Sequence, residues 1–356
     1  VIYAFVRRER AEEFRKELSS RGLLGRGALR EGGLVGFPLV GPLPQDLRDK
    51  FSPSEKALSG RWRENLNWKE AVRGTGFPRS FDLIGDLALV RLKPGTPGVE
   101  QAKLLMKLNP EVKGVFARQG ALEGEYRISP LRHLAGVDRT LTTHRENGFA
   151  FVVDVAQTFF SPRLATERAR VCQQVRPGER VLDMFAGVGP FSVQAASRGA
   201  VVLSSEINPV AGRLLLLNAK LNGVASRVRY LPGDASRVAN GQARGWAQRI
   251  IMNLPGLSTR FLADAIASTA ASGAIINIYV RSEKDPSEEL KDLGLSILQK
   301  RQLKEVSSSE KVYALDLHVP SVSRRLPKTS PLSERRGWNR SWMLQRLSRQ
   351  LRRTLS

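Results

Sequence analysis

The amino-acid sequence predicts an α/β fold, a mostly parallel sheet with an antiparallel last strand, preceded by two smaller α+β domains. Three observations carry this. From residue 156 onward, apolar strand-length runs alternate regularly with helical stretches, the pattern of a doubly wound parallel sheet. Two further strand-like runs, near 296–302 and 312–319, are joined by a short polar link. That link is too short for a parallel crossover, so the two should pair as an antiparallel hairpin. Before residue 156 the same kinds of element recur in shorter, less regular groups.

The elements follow in chain order. Val1–Val6 reads as a strand, and Ala11, Phe14 and Leu18 give helical spacing ended by Gly22. Val35–Val40 is a further strand before Gly41-Pro42, which closes a small unit over 1–55. Segment 43–78 is polar and broken by prolines, a connector with room for a short helix or two. Phe81–Leu92 is strand-like, with Gly85-Asp86 placed to turn it into a hairpin. Val99, Ala102, Leu105 and Met106 form a helical stripe that stops at Asn109-Pro110, and strands are expected at 113–118, 139–144 and 149–155. Together these make a second domain over 60–155.

The third domain, 156–320, carries strands at 179–185, 200–206, 227–231, 249–254 and 273–280, with helices such as Pro190–Ser197, Pro209–Leu221 and Thr259–Ala270 between them. A last helix is expected near 286–293. A parallel sheet finished by an antiparallel strand is the Rossmann-like layout of class I methyltransferases rather than of typical dehydrogenases. Residues 321–356 form a tail with ten Arg or Lys against Glu334 alone, and Leu347, Leu351 and Leu355 recur every four residues in it. It suits a basic helix laid on RNA, an arm that orders on contact, or a solvated tail without a specific role.

Composition narrows the partner. A chain of 356 residues exceeds the roughly 100–200 of one domain. Lys plus Arg is 57 against 34 acidic residues, a net charge of +23, which draws polyanions through counterion release. An anionic membrane is the rival, but it usually needs an amphipathic or lipidated anchor. There is no uninterrupted apolar run of about 18 residues and no signal-peptide layout. One cysteine, Cys172, and three histidines argue against a disulfide framework and a zinc site, and fit a reducing cytoplasmic setting. Because Val1 stands where a methionine is expected, a few leading residues are expected to be missing.

The sharpest motif runs from Val181 to Phe191 (VLDMFAGVGPF), between a strand and a helix. Gly187 and Gly189 let backbone approach a ligand, and Asp183 stands ready to accept from an ammonium group or an ordered water. Ser192 occupies the place of the third glycine of a dinucleotide fingerprint, which disfavours the dehydrogenase reading. Glu206, with Ile207 after it, ends the next strand where an acid can take both ribose hydroxyls. Asp234 with Ala235 ends the third strand, in reach of an adenine amino group. Singly, such acids are more often solvated loop residues than ligands; their positions after successive strands favour the ligand reading. Asn253 ends the fourth strand in Asn253-Leu-Pro255 and offers donor and acceptor to a base edge or to the cofactor, or else caps the helix starting near Leu257. It resembles the Asn-Pro-Pro-Tyr motif of enzymes that methylate nucleobase nitrogens. Ahead of the glycine loop, Ser161 and Pro162 start a helix as N-cap and first residue. Glu167 follows, with Arg163 and Arg170 spaced for a surface ion pair.

The run Gly124-Glu-Tyr-Arg127, His133-Leu-Ala-Gly136, Arg139-Thr-Leu-Thr142, Glu146-Asn-Gly148, Asp154-Val-Ala and Ser161–Arg168, continued by the glycine loop and Asn253-Leu-Pro255, resembles one family. It is the archaeal and eukaryotic type tRNA (guanine-N1)-methyltransferases, which modify guanosine 37 beside the anticodon. The resemblance spans about 1–320 and is strongest over 113–256; the basic tail is not part of it. It implies S-adenosylmethionine as methyl donor, tRNA bound at its outer corner by 1–55 and at the anticodon arm with help from 60–155, and a monomer without membrane attachment. It also implies Glu167 as the base for guanine N1, Arg127 as the partner of O6 and Asn253 as the holder of the guanine edge. Arg168 would meet the cofactor's carboxylate, and Pro255 would border the substrate. Phe159 stands where the family has tyrosine, so stacking on the base survives and a hydroxyl contact is lost.

Three alternatives remain at this level. A sister enzyme moves the aminocarboxypropyl group of the same cofactor in wybutosine synthesis; Pro190 and Asn253-Leu-Pro255 favour methyl transfer over it. A bifunctional member would also methylate a tricyclic guanosine derivative. A non-catalytic RNA-binding protein is the third, against which stands the joint presence of Arg127, Glu167, Asp183, Glu206 and Asn253.

Overall fold

The computed structural model describes residues 2–25, 28–57, 72, 74–93, 95–120, 124–292, 295–305 and 310–321. The chain forms two compact units, residues 1–79 with 107–110, and the remainder. The basic tail, and most of the connector over 58–71, lie outside the described residues.

In the first unit, β1 (Ile2–Arg7) is paired antiparallel with β3 (Leu34–Pro38) and β4 (Ser54–Ala57), and β2 (Leu29–Glu31) flanks β3. Helix α1 (Ala11–Ser20) buries Ala11, Phe14 and Leu18, the stripe expected from 3.6-residue periodicity, and Gly22 leaves it with φ +66°. Phe14 meets Phe51 of α2 (Gln45–Phe51) with ring centroids 4.9 Å apart. Strand β4 falls in the stretch that reads as connector; its Ser-Glu-Lys-Ala carries no alternating apolar signal, and pairing with β1 alone makes it a strand.

Among its described residues the second unit holds three sheets. The hairpin β5 (Asp82–Ile84) and β6 (Leu87–Arg91) turns at Gly85-Asp86, where Gly85 has φ +58°. Helix α3 (Val99–Leu108) connects β6 to its parallel neighbour β7 (Gly114–Arg118), and β8 (Leu131–Gly136), not anticipated from the sequence, completes that sheet. Strands β9 (Leu141–Glu146) and β10 (Phe149–Asp154) make a separate ribbon turned by Asn147-Gly148, both at positive φ, as a two-residue hairpin requires.

The third sheet positions the site. Its strands are β11 (Arg180–Asp183), β12 (Val201–Glu206), β13 (Val228–Pro232), β14 (Arg249–Met252), β15 (Ala274–Ser282), β16 (Ser296–Glu305) and β17 (Lys311–Val319), in spatial order 13-12-11-14-15-17-16. The first five are parallel; β17 inserts antiparallel between β15 and β16. The order reverses between β11 and β14, and the crevice beyond their carboxyl ends is where open α/β sheets take ligands. Helices α4 (Ala165–Gln173), α5 (Pro190–Ser197), α6 (Pro209–Leu221), α7 (Ala235–Asn240), α8 (Leu262–Ser268) and α9 (Ser287–Asp292) complete the layers. Fully buried Val181, Leu182, Val202, Ile250, Ile251 and Ile276 form the middle of the core. The ribbon is tied to α6 by two asparagines: Val152 N–H donates to Asn218 Oδ1 at 2.7 Å and Ala150 N–H to Asn222 Oδ1 at 3.0 Å, with the amide groups returning bonds to the same residues' carbonyls.

Candidate active site

Beyond the carboxyl ends of β11 and β14 lies a cavity of about 320 Å³. Gly187, Glu206, Ile207, Asp234, Ala235 and Asn253 line it, and Arg127 and Phe159 stand on its wall. Gly187 has φ +55°, and its N–H donates to Glu206 Oε2 at 2.7 Å, while Asn208 N–H donates to Oε1 at 2.8 Å. Burial raises the Glu206 carboxyl above its ordinary value against the opposing pull of these backbone donors. Asp234 is the N-cap of α7, its Oδ1 accepting from Ser236 and Arg237 N–H. The turns after β11 and β14 are adjacent, since Met184 N–H donates to Ile251 O at 3.0 Å.

On the opposite wall, Asn253 begins a turn closed by Ser258, whose hydroxyl donates to Met252 O at 2.9 Å and accepts from Leu254 N–H at 3.2 Å. The short helix Ser258–Phe261 has Leu257 as its N-cap and no side-chain cap, so Asn253 is not spent on capping and stays at the cavity. Arg127 is held at φ +52°, a left-handed conformation that costs a non-glycine residue about 1 kcal/mol or more. Burial and then the nearby Arg281 lower its pKa from the usual value. A Cβ added at Gly256 would lie 3.9 Å from Arg127 Nη1 and 4.0 Å from Arg281 Nη2, so the two guanidinium groups share the space beside this glycine.

The TRM5/TYW2 methyltransferase domain profile matches residues 142–296. The tRNA (guanine(37)-N1)-methyltransferase Trm5b of Pyrococcus abyssi is 35% identical over 324 residues, which cover 85% of this chain and 96% of the relative. The chain belongs to the tRNA (guanine(37)-N1)-methyltransferase family. Among solved structures, the complex of aTrm5 with tRNALeu is 29% identical with a TM-score of 0.68, over 90% of this chain and all of that one. Methanocaldococcus jannaschii Trm5 in complex with adenosine is also 29% identical, with a TM-score of 0.62 over 90% of this chain and 99% of that one.

In this methyltransferase several expected site residues are engaged elsewhere. Arg168 is 2% exposed, makes a two-point pair with Glu146, donates to Ser161 O at 2.9 Å and lies over the Phe160 ring. It does not line the cavity, because a buried guanidinium is taken by the nearest buried carboxylate. The same contact uses the Ser161 carbonyl, and the Ser161 side chain makes no cap. Gly189, at φ +86°, does not line the cavity either: a Cβ there would lie 2.9 Å from Leu215 Cγ, so helix packing explains it. Asp183 is fully buried behind the cavity, accepting from Ser192 Oγ at 2.8 Å, which in turn accepts from Ser204 Oγ. Burial pushes its carboxyl up to about 7. Pro255 is off the cavity wall, its carbonyl accepting from Arg281 N–H at 2.8 Å.

Glu167 also stands apart from the cavity lining. It is 4% exposed, not on the surface, and its partner is Arg170; Arg163 pairs instead with Asp82. Oε1 accepts from Arg170 Nε at 2.8 Å, with Nη2 of the same group at 2.5 Å, and from the Tyr279 hydroxyl at 3.3 Å; among the described residues Oε2 accepts only from Arg301 Nη1 at 3.3 Å. Tyr279 and Arg281 project from one face of β15, since side chains alternate along a strand, and Arg281 neighbours Arg127.

Sequence reading missed Asn208, which caps α6 through Val210 N–H at 2.9 Å, donates to Gln157 O at 2.7 Å and lines the cavity. Asn208-Pro209 after a strand was a readable helix start. It also missed the apolar wall of Met184, Phe185, Leu254, Leu257 and Phe261, for which no local pattern exists.

Proposed function

We propose that this chain transfers a methyl group from S-adenosylmethionine to N1 of guanosine 37 in tRNA. The observation that carries the reading is one cavity bounded by Gly187, Glu206, Asp234 and Asn253, with Arg127 and Phe159 on its rim. The donor set fits the cofactor. Glu206 supplies acceptors suited to ribose hydroxyls, Phe185, Ile207 and Phe261 supply apolar area for a flat base, and Asp183 Oδ1 is a buried acceptor with no partner among the described residues. Bound cofactor supplies an electrophilic methyl carbon on a sulfonium.

The chain's own residues then act on the guanine. Its N1 carries a proton at neutral pH, so a base is needed before N1 can attack. Glu167 Oε2, which among the described residues accepts only from Arg301 Nη1 at 3.3 Å, takes that proton. As N1 loses it, charge builds on O6, where the Arg127 guanidinium answers it. Asn253 offers a donor and an acceptor to the guanine edge and fixes its orientation, so most of the acceleration comes from position. Phe159, exposed beside the glycine loop, provides a face for stacking.

At the level of domains, 1–55 recognises the outer corner of tRNA, 60–155 helps grip the anticodon arm, and 156–320 holds the chemistry. The net charge of +23 supports this, as does the relative captured with tRNALeu. Recognition is by shape, with the target base turned out of its stack. The chain acts as a monomer in the cytoplasm; among the described residues no helix is long and apolar enough to cross a membrane. The test is incubation with methyl-labelled cofactor and an unmodified tRNA transcript, followed by mapping of the label. Label at N1 of residue 37, lost in a transcript with adenosine there, is expected; label on another nucleotide overturns the reading.

A further inference from the structure

The methyl-transfer reading leaves a cluster of buried charge unexplained. Arg170 Nη1 and Nη2 hold Asp316 of β17 at 2.6 and 3.0 Å, and Nε of the same guanidinium reaches Glu167. Asp316 also accepts from Asn277 Nδ2 at 2.7 Å and from Gln174 Nε2 at 3.3 Å, and Arg170 Nη1 donates to Gln299 Oε1. Glu167, Asp316, Asn277 and Tyr279 are all at most 4% exposed. Burying such a network gains little stability, because desolvation offsets the attraction between its charges. What it does gain is fixed geometry: the planar guanidinium has Nη1 and Nη2 on the Asp316 carboxylate and turns its Nε–Nη2 edge to Glu167 Oε1, with Nη2 at 2.5 Å.

We propose that Arg170, anchored by Asp316, and the Tyr279 hydroxyl are positioning residues for the base. Both donate to Glu167 Oε1, which fixes the carboxylate plane and leaves Oε2 as the oxygen that meets the guanine N1 proton. This rests on the reading of Glu167 as the base. The arrangement follows the general logic of a base oriented by a third group, here with donors from α4 and β15 meeting one carboxylate oxygen. Arg301, 42% exposed on the edge strand β16, is the only donor to Oε2 among the described residues and can move aside into solvent.

The test is a double-mutant cycle on the full chain with a tRNA transcript as substrate. Tyr279→Phe removes one hydroxyl and keeps the ring. It is expected to lower kcat about tenfold, equivalent to ~1.4 kcal/mol, with the KM for tRNA and the Kd for S-adenosylmethionine unchanged. Arg170→Lys keeps the charge but loses the fork, and is expected to lower kcat at least as much. Glu167→Gln is expected to cut turnover by roughly 10²-fold, and adding Tyr279→Phe to it should change the remaining rate no further. If Glu167→Gln turns over normally, the base reading itself fails. If Glu167→Gln is inactivated while Tyr279→Phe keeps full kcat, the base stands and the positioning role is overturned. An equal loss from Tyr279→Phe in both backgrounds also overturns it, because the hydroxyl would then act on the fold. Should Arg170→Lys not fold, Tyr279→Phe decides alone.

Discussion

The two glycines of the loop after β11 look equivalent in sequence, and the structure predicts that replacing them by alanine has different consequences. Gly189→Ala places a Cβ 2.9 Å from Leu215 Cγ and 3.5 Å from Leu215 Cβ and Cδ1, on a residue with φ +86°. Leu215 is fully buried in the core and has nowhere to move. The left-handed backbone costs alanine about 1–2 kcal/mol, and overpacking adds about 1–3 kcal/mol, a total loss of about 2–5 kcal/mol. Gly187→Ala carries only the first cost: φ is +55° and the nearest neighbour of its Cβ would be Phe159 O at 3.7 Å, an ordinary contact. Its loss should be about 1–2 kcal/mol. Because Gly187 lines the cavity, its substitution should instead weaken cofactor binding severalfold. Urea midpoints with amide exchange read across residues 190–221 measure the first effect, and titration with S-adenosylmethionine measures the second. Equal stability losses for the two variants, or a larger loss for Gly187→Ala, would refute the assignment of Gly189 to packing.

Three other outcomes are expected. Asn253→Ala should lower kcat/KM for tRNA by about 10–30-fold, the loss of two hydrogen bonds of ~1 kcal/mol each, while leaving the urea midpoint unchanged; steady-state kinetics beside unfolding curves check this. The Asp183 carboxyl, pushed up to about 7 by burial from a usual 3.8, stays protonated in the folded chain between about pH 4 and 7 while the unfolded chain loses that proton. Stability attributable to it therefore falls as pH rises through that window, by at most ~1.4 kcal/mol per pH unit, and Asp183→Asn should flatten the slope of the urea midpoint between pH 5 and 8. Removal of residues 321–356, with ten basic residues against one acid, should weaken tRNA binding and make it less sensitive to salt; equal slopes of log Kd against log salt for both chains would mean that the tail makes no phosphate contacts.

The sequence by itself determined the succession of elements in 156–320 and the place where ligands meet the sheet. Strand and helix periodicities are local, so Pro190–Ser197 and Pro209–Leu221 were readable to the residue, and the short link between the last two strands required their antiparallel pairing, while the insertion of β17 between β15 and β16 came from the fold. Gly187, Glu206, Asp234 and Asn253 were legible because strand ends of one parallel sheet share an edge. Tertiary structure decided which charged groups face that edge. Arg168 is claimed by Glu146, 22 residues away; Glu167 meets Tyr279 across 112 residues, and Arg170 meets Asp316 across 146. Gly189 faces a leucine on another helix. A buried charge takes whichever partner the packing brings nearest, since leaving it unpaired costs several kcal/mol. Those partners come from strands and helices far apart in the chain, and only their assembly selects them.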